Sequence, residues 1–251
     1  MSTPKQAYLV CGGRWHDFDF ARIELLKLLA EHENVRTRVA SDYSDLDGIA
    51  ASDFLVTYTC DLEGVSEAQE LALQEYVRSG GRWLALHGTN SVMEFLADGR
   101  VAAPRTHGTL MRTLGSQFIA HPPIAPYTVE VASPGHPLVE GIEPFEVEDE
   151  LYLCEYHGKL EPLLAARFTG EATGFVEADW PDDEPRWVMY LHPEGQGEVL
   201  YLTLGHCRGR YDMQPLIDVY PRIERGAWES PAYMEILRRS LRGCLDAAPA
   251  P

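Results

Sequence analysis

Four histidines follow short apolar runs or lie between them, which is where α/β enzymes place their reactive groups. His87 and His206 each come just after a run typical of a buried strand, next to a glycine. His16 lies in the loop after the first such run, and His121 lies in a long irregular segment. Because the carboxyl ends of parallel strands meet at one edge of a sheet, we expect these imidazoles to converge on one crevice.

Converging imidazoles suit two kinds of chemistry. Histidine titrates near neutral pH and can transfer a proton to or from a hydroxyl or carbonyl group. Neutral imidazoles also bind divalent metals such as zinc, and Glu150 could complete the ligand set. The sequence has no H-E-x-x-H spacing, so a metal-free site remains an alternative to a metal site built on His87, His121 and His206. In either case the predicted catalytic residues are His87, His121, His206 and Glu150.

A second set of residues could contact a substrate in the same crevice. Glu150 and Tyr152 are two residues apart, so in a strand both side chains would point to one face. A carboxylate beside an aromatic ring suits a carbohydrate, because hydroxyls need acceptors and the C–H face packs on a ring. The alternative is that the acidic run is solvated and the aromatic residues belong to the core. The predicted substrate-binding residues are Trp15, His16, Asn90, Tyr152 and Arg208.

The first ninety residues must position two of these histidines, and their pattern alternates strands and helices. A helix begins near Phe20, with Asp17 or Asp19 as its cap. Ser66 and Gln69 have the capping-box spacing for a second helix, which ends before a Gly-Gly pair. Strands are predicted over residues 7–11, 35–40, 53–58 and 82–86.

The second half of the chain is rich in predicted strands. A hairpin turn is expected over residues 195–197, and a final helix begins after Ser230 with one apolar face. The predicted strands cover residues 128–131, 145–147, 163–168, 187–191 and 198–204. The whole pattern predicts an α/β fold: a doubly wound, mostly parallel sheet with helices on both faces and a strand-rich C-terminal half.

Composition limits the partners and the compartment. The chain has 251 residues, which favours a single domain over residues 1–251. Its 21 Lys and Arg against 39 Asp and Glu give a formal net charge of −18, so we expect neither nucleic acid nor a membrane as partner. Five scattered cysteines without a C-x-x-C spacing predict reduced thiols. No signal-peptide pattern and no apolar run near about 18 residues is present, which favours a cytoplasmic protein.

Five stretches, in this order along the chain, resemble the trehalose-utilisation (ThuA-like) family. They are residues 80–87 (GGRWLALH), 118–122 (FIAHP), 133–141 (SPGHPLVEG), 149–152 (DELY) and 197–206 (GEVLYLTLGH). The resemblance runs from the first strand to His206. It implies a class I glutamine-amidotransferase-like, flavodoxin-like fold and a role in sugar metabolism, without a firmly assigned reaction.

One departure from the wider superfamily changes the expected chemistry. Amidotransferases carry a cysteine nucleophile at the elbow after the strand, whereas this chain has His87 there. His206 stands where the partner histidine is expected. Imidazole substitutes poorly for a thiolate in acyl transfer, so glutamine hydrolysis is not expected. Cys60 ends the third predicted strand and Cys207 follows His206 directly, but neither occupies the elbow, and a free cysteine is usually a small buried hydrophobe.

Two functions remain from the sequence. The first is a carbohydrate-processing enzyme, a hydrolase, isomerase or lyase, that acts on a sugar or keto-sugar derivative by histidine acid–base or metal-assisted chemistry. The second is a non-catalytic carbohydrate-binding or accessory protein that kept the crevice and lost the nucleophile. The apolar face of the last helix also suggests a homo-oligomer.

Overall fold

The computed structural model describes residues 4–246, so both ends of the predicted domain 1–251 lie outside it. The first part of the chain alternates strands and helices. Its elements are β1 (Lys5–Gly13), α1 (Phe18–Ala30), β2 (Val35–Ala40), α2 (Leu46–Ala50), β3 (Phe54–Cys60), α3 (Glu67–Arg78), β4 (Arg82–Leu86) and a 3₁₀ turn (His87–Asn90).

The second part is dominated by strands, as the sequence predicts. Its elements are β5 (Glu94–Phe95), β6 (Val101–Ala102), α4 (Gly108–Leu114), β7 (Ser116–Ala120), β8 (Ala125–Val131), β9 (Phe145–Asp149), β10 (Leu153–Tyr156), β11 (Glu161–Ala166), β12 (Gly170–Glu171), β13 (Asp179–Trp180), β14 (Arg186–Glu194), β15 (Gly197–Leu202), a second 3₁₀ turn (Gly226–Glu229) and α5 (Pro231–Asp246).

Within the described residues, nine strands form one sheet in the order β2-β1-β3-β4-β15-β14-β11-β8-β9. The strands from β2 to β15 pair in parallel. Those from β15 to β9 pair antiparallel. The parallel part has the order of flavodoxin-like sheets, so the predicted doubly wound α/β fold is confirmed. The parallel part also brings the carboxyl ends of β1, β3, β4 and β15 to one edge.

Helices cover both faces of the sheet because successive strand residues point to opposite sides. Leu9 of β1 packs in a core with Leu25 of α1 and Leu237 of α5. Its neighbour Val10 packs on the other face, in a core with Leu73 of α3. The apolar face of α5 is therefore buried against its own sheet, and homo-oligomerisation remains a prediction without support from that face.

The predicted helix caps and the predicted hairpin turn are present in the structure. Asp17 caps α1 by accepting from the Phe20 amide at 3.0 Å, and Ser66 and Gln69 form the predicted capping box of α3. The turn between β14 and β15 begins at Gly195, whose φ of +64° suits a glycine. None of the helices in residues 4–246 has the length and apolarity needed to cross a bilayer.

Candidate functional site

The elbow after β4 buries His87 completely. Its backbone has a φ of +46°, a left-handed conformation that a non-glycine residue adopts rarely. The Nδ1–H of His87 donates to the carbonyl oxygen of Thr203 at 2.8 Å, which fixes the ring. Its Nε2 is then left facing the Tyr152 hydroxyl at 3.3 Å and Glu150 Oε2 at 3.4 Å.

His206, which follows β15, is fixed by two carboxylates. The Asp149 carboxylate accepts the backbone N–H groups of Gly205 at 3.1 Å and His206 at 3.2 Å. The Nε2–H of His206 donates to Glu224 Oε2 at 2.8 Å. The remaining Nδ1 lies 3.2 Å from Glu150 Oε1, but the two atoms are not aligned as a hydrogen bond.

His16 reaches the same place from the loop after β1. Its ring centroid lies 4.6 Å from that of His87 and 5.3 Å from that of His206. Within the part of the chain that the structure describes, neither of its ring nitrogens has a hydrogen-bond partner, although the residue is buried. Burial, reinforced by the adjacent His87, holds the pKa of His16 well below its ordinary value, so the ring is neutral.

Glu150 lies between the three imidazoles. Burial alone would raise its pKa, but the neighbouring His206 and His121 outweigh burial and hold the pKa well below its usual range. Burial would likewise lower the pKa of His206, whereas Glu150 and then Glu224 raise it to about 9. One donor atom from each of His16, His87, Glu150 and His206 lies within 4.8 Å of the others. We call these four residues the buried cluster.

The buried cluster opens into a cavity of about 280 Å³ at the carboxyl edge of the sheet. His16 and Glu150 line this cavity, whereas His87 and His206 are buried and do not line it. Its polar wall also contains His121 and Arg208. Its apolar wall is formed by Trp15, Cys60, Met93, Phe95, Val101, Phe118, Tyr152, Phe175 and Met213. A few polar groups in a mostly apolar cavity are typical of a small-molecule site.

His121 and Arg208 flank Glu150 on the cavity side. The Nδ1–H of His121 donates to the Pro122 carbonyl oxygen at 2.8 Å, and its Nε2 lies 3.7 Å from Glu150 Oε1. Arg208 pairs with Glu224 at 3.0 Å and approaches Glu150 at 3.5 Å. The predicted metal candidate His121 therefore lies beside the buried cluster, and His16 takes the place expected for it.

The predicted substrate-binding residues differ in position. Trp15, His16, Tyr152 and Arg208 line the cavity. Asn90 does not reach it, because its side chain donates to Ser116 at 2.6 Å and faces Cys154 in the core. Glu150 and Tyr152 do not lie in a strand, because β9 ends at Asp149 and β10 begins at Leu153. Glu150 and Tyr152 reach the site from the connection between these two strands.

Sequence reasoning missed three residues that position the site. Asp149 accepts four backbone N–H groups, including that of Ala227 at 2.7 Å, and so joins the ends of β9 and β15 to the second 3₁₀ turn. Asp61 accepts from the Trp15 indole at 2.9 Å. Glu224 orients His206. Asp149 precedes Glu150 in the acidic run and was the one detectable signal, whereas nothing local marks Glu224 or Asp61.

The cysteines lack the character of nucleophiles. All five are free and buried. Cys60 lines the cavity, but burial and then the adjacent Asp61 raise its thiol pKa well above the ordinary value. Burial raises the pKa of Cys207 to about 12. Neutral buried thiols react slowly, so neither replaces the missing elbow cysteine.

The fold and the site together define the class of protein. The strand order is flavodoxin-like, a left-handed elbow follows β4, and a histidine follows β15. This is the arrangement of class I glutamine-amidotransferase-like proteins, with an imidazole at the elbow in place of a thiol.

The chain belongs to the trehalose-utilisation (ThuA) family, whose sequence profile matches residues 9–222. Its fold is similar to that of a ThuA-like protein from Bacteroides uniformis, with a TM-score of 0.66 and 14% identity over 97% of this chain and 93% of that one. A ThuA-like protein from Parabacteroides merdae has a TM-score of 0.61 and 17% identity over 97% and 91% of the two chains.

A more distant likeness concerns the fold. A protein from Thermoplasma acidophilum described as a GMP synthase component has a TM-score of 0.53 and 11% identity, over 98% of this chain and 96% of that one. At such identities the likeness concerns the fold alone. A comparison with curated proteins finds no match.

Proposed function

We propose that the chain is a carbohydrate-processing enzyme that acts on one ring of a sugar or keto-sugar in the carboxyl-edge cavity. The observation that carries the proposal is the convergence of Glu150, His121 and Arg208 on a cavity with aromatic walls. Hydroxyl groups of a sugar need polar partners, and its C–H face packs on aromatic rings. The trehalose-utilisation description of the family favours a glucose-derived substrate.

The predicted catalytic residues divide into two groups in this proposal. His121 contacts the substrate directly, because its Nε2 faces the cavity and its ring packs against Phe175 with centroids 4.9 Å apart. His87 and His206 act through Glu150, which both approach within 3.4 Å. Proton transfer at a carbon next to a carbonyl, or to a leaving oxygen, is the step that such a set performs.

The test follows proton transfer directly. Glucose, trehalose and their keto derivatives are incubated with the protein in D₂O, and ¹H NMR detects deuterium incorporation and product formation. We expect turnover of at least one sugar, and a loss of about 10²–10⁴-fold in His121→Phe, which keeps the aromatic packing and removes the proton acceptor.

The matched control is Glu146→Gln, an exposed carboxylate on β9 four residues before Glu150. This variant should keep wild-type turnover, whereas Glu150→Gln should lose it. Saturable sugar binding without turnover of any sugar would favour the carbohydrate-binding alternative. If the protein neither binds nor turns over any of these sugars, the proposal is overturned.

A further inference from the structure

We propose that the buried cluster of His16, His87, His206 and Glu150 binds one divalent metal ion. Three ring nitrogens and one carboxylate oxygen, one from each residue, lie within 4.8 Å of one another. Nitrogen and oxygen donors in this number suit zinc, and also manganese, iron or cobalt. The use of the ion in catalysis rests on the proposed function, whereas the binding of the ion does not.

The first supporting observation is the set of buried nitrogens without partners. Both ring nitrogens of His16 and Nδ1 of His206 lack hydrogen bonds within residues 4–246. His16 is 4% exposed and His206 is fully buried. Buried polar atoms in folded proteins almost always have partners, because an unsatisfied one costs free energy. Such atoms, gathered around one carboxylate, indicate a missing common partner.

The second observation is the way in which the other nitrogens are held. His87 donates its Nδ1–H to the Thr203 carbonyl, and His206 donates its Nε2–H to the Glu224 carboxylate. In both rings the opposite nitrogen lies within 3.4 Å of a Glu150 carboxylate oxygen. Histidine ligands in metal sites are oriented in this way, by a carbonyl or carboxylate on the outer nitrogen.

The third observation separates the cluster from its neighbours. His121 is also a histidine near Glu150, but its Nε2 lies 3.7 Å from the carboxylate and its side chain is 23% exposed. It lies on the cavity side of Glu150, where a substrate would bind. Cys60 lines the same cavity and lies outside the cluster. The donor set is therefore free of thiolate, which disfavours monovalent copper.

The experiment needs no sugar. The full chain is dialysed against a chelator and titrated with zinc, manganese and cobalt chlorides by calorimetry, and bound metal is counted by mass spectrometry. We expect one ion per chain. His16→Ala and Glu150→Gln should each weaken binding by more than about 100-fold, and Glu224→Gln by about 10- to 100-fold, because Glu224 only orients a ligand.

The control is His32→Ala, a histidine just after α1 at the other edge of the sheet, which should leave affinity unchanged. Circular dichroism checks that each variant folds, and if one of the His16 and Glu150 variants does not, the other decides. No binding by the wild type, or equal binding by His16→Ala, would overturn the metal site. Sugar turnover in the chelated protein would overturn the catalytic role of the metal and leave the proposed function standing. Metal binding without sugar turnover would overturn the proposed function and leave the metal site standing.

Discussion

The two edges of the parallel sheet contrast in size and in chemistry. The amino edge carries the larger cavity, about 620 Å³, lined by residues such as Lys5, Asp53 and Cys244. Its charges are paired and partly solvated: Lys5 and Asp53 lie 3.2 Å apart with side chains 28% and 34% exposed. The carboxyl-edge cavity has less than half that volume. The side chain of Glu150 in its wall is only 5% exposed.

This difference teaches that volume does not mark a functional site. A better mark is a set of buried polar groups that lie close together without hydrogen bonds to one another, because such groups do not stabilise the fold. At the amino edge Lys5 and Asp53 pair with each other, and both side chains are partly exposed. At the carboxyl edge, both ring nitrogens of His16 and Nδ1 of His206 have no hydrogen-bond partner among the described residues.

The first test of the difference between the two edges uses thiol reactivity, because one cysteine lines the cavity at each edge. Cys60 lines the carboxyl-edge cavity, and Cys244, whose pKa burial raises to about 12, lines the amino-edge cavity. At pH 8 the Cys244 thiol is about one part in 10⁴ thiolate. We expect native protein to react with dithiodipyridine roughly a thousandfold more slowly than the urea-unfolded chain. Fast modification of Cys60 alone would reveal a nucleophile at the carboxyl edge.

The second test compares how much one carboxylate at each edge contributes to the free energy of unfolding. Asp149→Asn removes the charge that accepts four backbone N–H groups, so we expect the free energy of unfolding to fall by about 3 kcal/mol. Asp53→Asn at the amino edge should cost under about 1 kcal/mol, since its ion pair is partly exposed. Urea unfolding followed by circular dichroism measures both. Equal midpoints for the two variants would contradict the assigned role of Asp149.

The third test has the smallest expected effect and compares the stability contributions of two buried histidines. His192 has both ring nitrogens within 3.0 Å of carbonyl oxygens, of Lys159 and Arg112, whereas His16 has no partners in the described part of the chain. His192→Phe should therefore cost about 2 kcal/mol, whereas His16→Phe in metal-free protein should change stability by less than about 1 kcal/mol. Urea unfolding of both variants in chelator tests this. A large loss in His16→Phe would show that His16 serves stability.

Much of the fold could be predicted because its signals are local. Three such signals each depend on a few neighbouring residues. They are the apolar run of β1, whose residues pack alternately into the two cores, the capping box at Ser66 and the turn at Gly195. The two-residue spacing of Glu150 and Tyr152 was interpreted for a strand, whereas both residues lie in a connection between strands and line the cavity from there. Asn90 was misplaced because the 3₁₀ turn after β4 directs its side chain into the core.

The sequence by itself determined the nine strands of the main sheet, the helices α1, α3 and α5, and the placement of His87 and His206 at strand ends, because apolar periodicity and glycine positions act over short distances. Tertiary structure alone decided which groups meet. Glu150 lies 134 residues after His16 and 56 before His206, and Glu224 orients His206 from a further 18 residues on. No local rule sets such distances; they follow from the order of strands in the sheet and from the backbone groups that Asp149 holds together.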